Sequence, residues 1–117
     1  MRIRKAKIDA VIMLNSHGRD SEARVESVIS VKAGCTKSDC FKVLWISAGD
    51  VDDGYFVVDI SMNYEKRSIF GSSIIKIRDA ADNFLKEIVE VNGYTLSNAE
   101  LSIRSAKRGI FCRPVVA

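Results

Sequence analysis

The sequence predicts an α+β domain, an antiparallel sheet of about five or six strands with one principal amphipathic helix over residues 77–91 packed on one face. Three observations predict it. From Ile77, the apolar residues Ala81, Phe84, Leu85, Ile88 and Val91 recur at three- and four-residue spacing, with Asp79, Asp82, Asn83, Lys86, Glu87 and Glu90 between them. Before that helix, apolar residues recur at every second position, the period of a half-buried strand. Turn-forming clusters containing glycine separate these segments. At 117 residues and 47% apolar content the chain is read as one domain, 1–117, large enough to bury a core without metal or disulfide staples.

The first strand sets Ala6, Ile8, Ala10, Ile12 and Leu14 on one face and Lys5, Lys7, Asp9, Val11 and Met13 on the other. Its second face turns apolar halfway, so Val11 and Met13 call for a cover. After the polar turn Asn15-Ser16-His17-Gly18-Arg19-Asp20, residues Val25, Ser27, Ile29, Val31 and Ala33 alternate with Arg24, Glu26 and Lys32, which reads as the returning strand of a hairpin. Residues 34–39 form a loop, and Phe41 to Ala48 is dense in β-formers and reads as a central strand.

The run Gly49-Asp-Val-Asp-Asp-Gly54 is hairpin-turn chemistry, because Asp-Gly tolerates the positive φ that tight turns demand. It leads into Phe56, Val58, Ile60 and Met62 alternating with Tyr55, Val57, Asp59 and Ser61. Residues 63–73 read as a connection, with Ile74 to Arg78 either an extra helical turn or a strand entering the helix. Asp79 and Asp82 suit the positive end of that helix, and Asn92-Gly93 closes it, Gly93 taking the left-handed conformation. Leu101 and Ile103 then alternate with Glu100, Ser102 and Arg104, Lys107-Arg108-Gly109 turns, and Ile110 to Val116 runs out as a last strand.

No constellation specifies a reaction, and no catalytic residue is assigned. His17 is the single histidine and lies in a polar turn. Cys35 and Cys40 are separated by four residues rather than two, and with Cys112 they leave an odd thiol, so reduced structural thiols are expected and no metal site. Asp50, Asp52 and Asp53 resemble a calcium loop, but the glycine falls one position early and the twelfth residue is Ser61 instead of glutamate. Asp59, Glu65 and Lys66 hold the ingredients of a magnesium nuclease without its spacing. Gly71-Ser72-Ser73 lacks the glycine pattern and lysine of a phosphate cradle. A non-enzymatic protein with no cofactor is the expectation.

Charge points to binding instead. The net charge is +3, with Arg2, Arg4, Lys5 and Lys7 at one end of the chain and Arg104, Lys107, Arg108 and Arg113 at the other, around an acidic body. Guanidinium forks pair bidentately with phosphate oxygens at any working pH. Opposed across a last hairpin, Arg104 and Arg113 would make one cationic patch, and Asn92 and Tyr94 offer an amide for base edges and a ring for stacking. The same charges also suit a solvated edge that blocks strand addition. Asn92, Tyr94, Arg104, Arg108 and Arg113 are the candidate ligand-binding residues. No apolar run is long enough for a membrane span, and the basic N-terminus has no apolar stretch behind it of the signal-peptide kind, so a cytoplasmic protein is expected.

The layout of short strands, a late helix ending Asn92-Gly93-Tyr94 and an arginine-rich finish at Arg104, Arg108 and Arg113 resembles, over residues 79–113, the phage-encoded anti-Thoeris proteins that sequester cyclic ADP-ribose-type signals. The resemblance rests on no diagnostic motif. It implies a viral, non-enzymatic oligomer that holds a signalling nucleotide with aromatic, amide and arginine side chains in the host cytoplasm, and it assigns no individual residue. Two other readings stand beside it. One is a protein-interaction module or host-enzyme inhibitor, suggested by the two-sided first strand and by Trp45 and Tyr55. The other is a single-stranded nucleic-acid binder using Phe41, Trp45 or Tyr55 as stacking platforms. Outward-facing Val11 and Met13 further predict a homo-oligomer, since a symmetry mate would cover them.

Overall fold

The computed structural model describes residues 2–38, 40–66 and 70–105. Strand β1 (Lys5–Asn15) leads to helix α1 (Glu22–Cys35), strands β2 (Phe41–Asp52) and β3 (Tyr55–Glu65) follow, then helix α2 (Ile74–Glu90) and strand β4 (Thr95–Ser105). The four strands form one antiparallel sheet in the order β2-β3-β1-β4. β1 and β2 are therefore parallel to each other with β3 between them, and β3 and β4 are parallel with β1 between them. Each helix spans one such split βαβ unit, which is the ferredoxin-like arrangement.

Alternation in the strands decides where the core sits. Ile8, Ile12 and Leu14 of β1 and Phe56, Val58, Ile60 and Met62 of β3 point to the helix side and are at most 2% exposed. Ile77, Ala81, Leu85, Ile88 and Val89 of α2 and Val25 and Ile29 of α1 close over them. Phe41 stacks on Phe84 with ring centroids 5.4 Å apart, tying the start of β2 to α2. Truncating one of the wholly buried aliphatic side chains, such as Ile12 to alanine, is expected to cost about 2–5 kcal/mol.

The segment read as a second strand is the helix α1. Val25, Ser27, Ile29, Val31 and Ala33 do alternate, but Val25 and Ile29 are also four apart, and they alone are buried, whereas Val31 is 63% exposed. Ser21 caps the helix by accepting from the Arg24 amide at 3.3 Å, Glu22 occupies the first turn and Lys32 the last. There is accordingly no hairpin between β1 and residues 25–33. β1 is flanked by β3 and β4, both remote in sequence. The described residues thus hold four strands and two helices, against the five or six strands and one principal helix expected.

α2 begins at Ile74, three residues before the expected start, capped by Ser73, so Asp79 and Asp82 fall beyond its first turn. Its far end matches expectation: Gly93 has φ +81°. The β2–β3 hairpin is formed as expected, with Asp53 at φ +36° and Gly54 at φ +82°. The expected last strand, Ile110 to Val116, lies outside the described residues.

Candidate functional site

Both helices cover one face of the sheet, and among the described residues no element covers the other face. The register arranges that face in rows running across the strands. Lys42, Asn63, Lys7 and Arg104 form one row, and Trp45, Ser61, Asp9 and Ser102 the next. Ser47, Asp59, Val11 and Glu100 follow, then Gly49, Val57, Met13 and Asn98. The face therefore grades from cationic through aromatic to acidic and finally apolar. With strands about 4.8 Å apart the cationic row spans about 14 Å.

Each side chain on the cationic row is exposed. Arg104 donates from Nη2 to Asp9 Oδ2 at 3.1 Å, an exposed pair that leaves most of the guanidinium fork free for another acceptor. Lys7 sits between Arg104 and Asn63 in register. One row away Trp45 is 53% exposed, a large aromatic surface at the Lys42 end of the row. Ser61, in register with Trp45 and Asp9, is 1% exposed, and its hydroxyl has no hydrogen-bond partner among the described residues. A buried hydroxyl so placed carries an uncompensated desolvation cost.

The structure separates the residues singled out from the sequence. Asn92 donates from its side-chain amide to the Ile88 carbonyl at 2.9 Å and so serves the end of α2. Tyr94 is 4% exposed, and its hydroxyl donates to Asp20. Burial and the Asp20 carboxylate push the Tyr94 phenol up to about 12. The Arg19 guanidinium lies 5.9 Å from the Tyr94 ring centroid and donates to the Gly93 carbonyl at 2.6 Å. The amide and ring expected to hold a ligand are thus occupied with packing. Arg104 lies ten residues farther along β4, about 33 Å away at strand rise. Arg108 and Arg113 lie outside the described residues.

Other candidates also resolve into local roles. His17, at φ +61°, shares a hydrogen bond of 3.0 Å between its Nε2 and Thr95 Oγ1. Glu65 pairs with Lys5 at 3.9 Å, Lys66 donates to Ser72 at 3.0 Å, and Asp59 lies six residues from Glu65 along β3, so these three do not converge. Among the described residues no group of three or more His, Cys, Asp or Glu side chains is placed to hold a metal ion. Nor does any helix among them have the length and apolarity to cross a membrane.

Sequence reading missed Lys42 and the company it keeps with Lys7 and Arg104. The alternation in β1 already put Lys7 on the uncovered face. Its neighbours, however, come from residues 35 and 97 positions away, and no local pattern encodes that register.

No family model and no curated protein matches the chain. Among solved structures it is similar to a dinuclear metal-binding peptidase of the M20 family from Bacillus subtilis, with a TM-score of 0.41 and 12% identity over 88% of this chain and 26% of that one. It is also similar to a protein from Burkholderia cenocepacia described as an amidohydrolase or peptidase, with a TM-score of 0.38 and 12% identity over 90% of this chain and 29% of that one. The chain spans little more than a quarter of the length of these proteins, and similarity at this level says nothing about its activity.

Proposed function

We propose that this chain is a non-enzymatic binding protein that holds an anionic, nucleotide-like ligand on the uncovered face of its sheet. The phosphate lies on the row of Lys42, Lys7 and Arg104, and the base lies against Trp45. The single observation that carries this reading is the alignment, on neighbouring rows of one sheet face, of three exposed cations and one exposed indole. Phosphate needs donors that stay charged, and a base needs an aromatic plane one residue row away. Sequestration of a cyclic ADP-ribose-type signal by a viral anti-defence protein, the role implied by the resemblance to anti-Thoeris proteins, is the form of this function we put first.

Trp45 is the one tryptophan in the chain, so its fluorescence reports on the site directly. Titration with ADP-ribose, cyclic ADP-ribose isomers, mononucleotides and short single-stranded DNA and RNA is expected to give saturable quenching with the true ligand. At a hundred times its dissociation constant that ligand stabilises the fold by roughly 2.7 kcal/mol. The double variant Lys7→Ala, Arg104→Ala is expected to weaken binding at least tenfold while melting normally. If an oligonucleotide is the ligand, affinity falls steeply with salt. Absence of quenching and of any thermal shift across the whole panel overturns the proposal.

A second reading is a protein-interaction face, favoured by Val11, Met13 and Tyr55, which are 44%, 36% and 40% exposed toward the other end of the same face. A host protein retained by the chain after Lys7 and Arg104 are replaced, and lost after Val11→Asp, would favour it. A homo-oligomer closed over these residues would show in light scattering and be dispersed by the same Val11 variant.

A further inference from the structure

Strand β2 is an edge of the sheet, and α1 runs antiparallel beside it. Glu22 accepts from the Asp50 amide at 3.1 Å and Glu26 from the Ala48 amide at 3.4 Å. The match is metrical: four residues of helix rise about 6.0 Å, and two residues of strand about 6.6 Å. A carboxylate at every fourth helix position can therefore satisfy every second amide of the strand edge. The next step of this ladder pairs position 30 of the helix with the Ile46 amide, which faces the same outer edge as Ala48 because they are two residues apart. Position 30 is Ser30, and the following position, 34, is Gly34, with no heavy atom within 4 Å of where a side chain would begin.

Where the carboxylates give out, the structure opens a groove of about 540 Å³ between the C-terminal half of α1 and β2. Ser30, Gly34, Thr36, Lys37, Lys42 and Trp45 are among its walls. Among the described residues none caps the Ile46 amide. The groove thus offers an unpaired strand edge, two lysines and an apolar wall, with the chain's own glutamates marking the chemistry that this edge accepts.

We propose that the groove is a docking site for an extended acidic peptide segment of a partner protein. The peptide adds along the β2 edge, places a carboxylate where a third glutamate of α1 would have stood, and sets its charge against Lys37 and Lys42. Charge complementarity favours this occupant over a neutral or basic strand. The register bulge at Val43/Trp45 limits the addition to a few residues, so the site takes a short segment and not a second full sheet.

The test is a variant that completes the ladder from within. Ser30→Glu lets α1 cap Ile46 itself and fills the groove mouth with negative charge. Isothermal titration with the peptide acetyl-Val-Glu-Val-Glu-Val-amide is expected to give saturable binding to the native chain, at least tenfold weaker binding with its Val-Lys-Val-Lys-Val counterpart, and at least tenfold weaker binding of the acidic peptide to Ser30→Glu. Lys37→Glu is expected to weaken the acidic peptide similarly without altering the melting temperature by more than a degree or two. Lys42 and Trp45 wall both sites, whereas Lys7 and Arg104 do not line the groove, so Lys7→Ala, Arg104→Ala weakens the nucleotide and leaves peptide affinity unchanged, and the two proposals fail separately. Equal binding of both peptides, or undiminished binding by Ser30→Glu, overturns the docking site. A native dimer that Ser30→Glu converts to monomer in light scattering also overturns it, because the groove is then filled by a second copy.

Discussion

The hydroxyl of Tyr94 donates to the carboxylate of Asp20, joining residues 74 positions apart and fastening the segment before β4 to the one before α1. In the unfolded chain this phenol ionises near 10, and in the folded chain near 12. Above pH 10 the unfolded state loses a proton that the folded state keeps, so this contribution to stability is whole below pH 10 and disappears as pH rises toward 12. Urea unfolding of Tyr94→Phe at pH 8 is expected to show a loss of about 2 kcal/mol, the usual scale for a hydrogen bond to a charged group. The gap between variant and native chain narrows between pH 10 and 12.

Arg19 braces the same corner, donating from Nη2 to the Gly93 carbonyl and from Nε to the Ser16 carbonyl at 3.1 Å. A lysine cannot reproduce two donors in one plane. Arg19→Lys is expected to lower stability by about 1–2 kcal/mol, measured as a shift in denaturation midpoint without change in its slope.

Glycines 54 and 34 should respond in opposite directions. A Cβ on Gly54 would lie 2.5 Å from the Gly18 backbone nitrogen, and its φ is +82°, so Gly54→Ala forces apart the two turns that Ser16 and Gly54 hold by a 2.7 Å hydrogen bond. A loss of more than about 2 kcal/mol is expected. Gly34 is helical, and its side-chain space is empty, so Gly34→Ala is expected to stabilise by about 0.5–1 kcal/mol. Thermal melts of the two variants check both signs.

Ser61 carries a hydroxyl that is buried without a partner among the described residues. Removing it in Ser61→Ala is expected to leave stability unchanged or raise it by up to about 1 kcal/mol, since no hydrogen bond is lost. A fall of 1 kcal/mol or more in chemical denaturation would show that the hydroxyl is bonded in solution.

The sequence by itself determined the parts whose structure is local. The 3.6-residue apolar period from Ile77 to Ile88 specified α2, the Asp53-Gly54 pair specified the β2–β3 turn, and the two-residue period of β1 specified which of its faces would be buried. α1 escaped, because the β-branched residues Val25, Ile29 and Val31 satisfy a two-residue period while Val25 and Ile29 also satisfy a four-residue one. Only packing, which buries Val25 and Ile29 and leaves Val31 in water, chooses between them.

Tertiary structure alone decided the neighbours. β1 could have paired with the segment that follows it, but that segment is drawn into a helix, and β1 instead lies between strands that begin 50 and 90 residues later. The candidate ligand row is a consequence of that choice. Lys7, Lys42 and Arg104 fall on one row because hydrogen-bonded register aligns three remote strands, whereas Tyr94 and Arg104, close in sequence, are held apart by the length of an extended strand. Backbone propensity acts over a few residues, and the burial of a shared apolar face acts over the whole chain, which is why the second could place what the first could not.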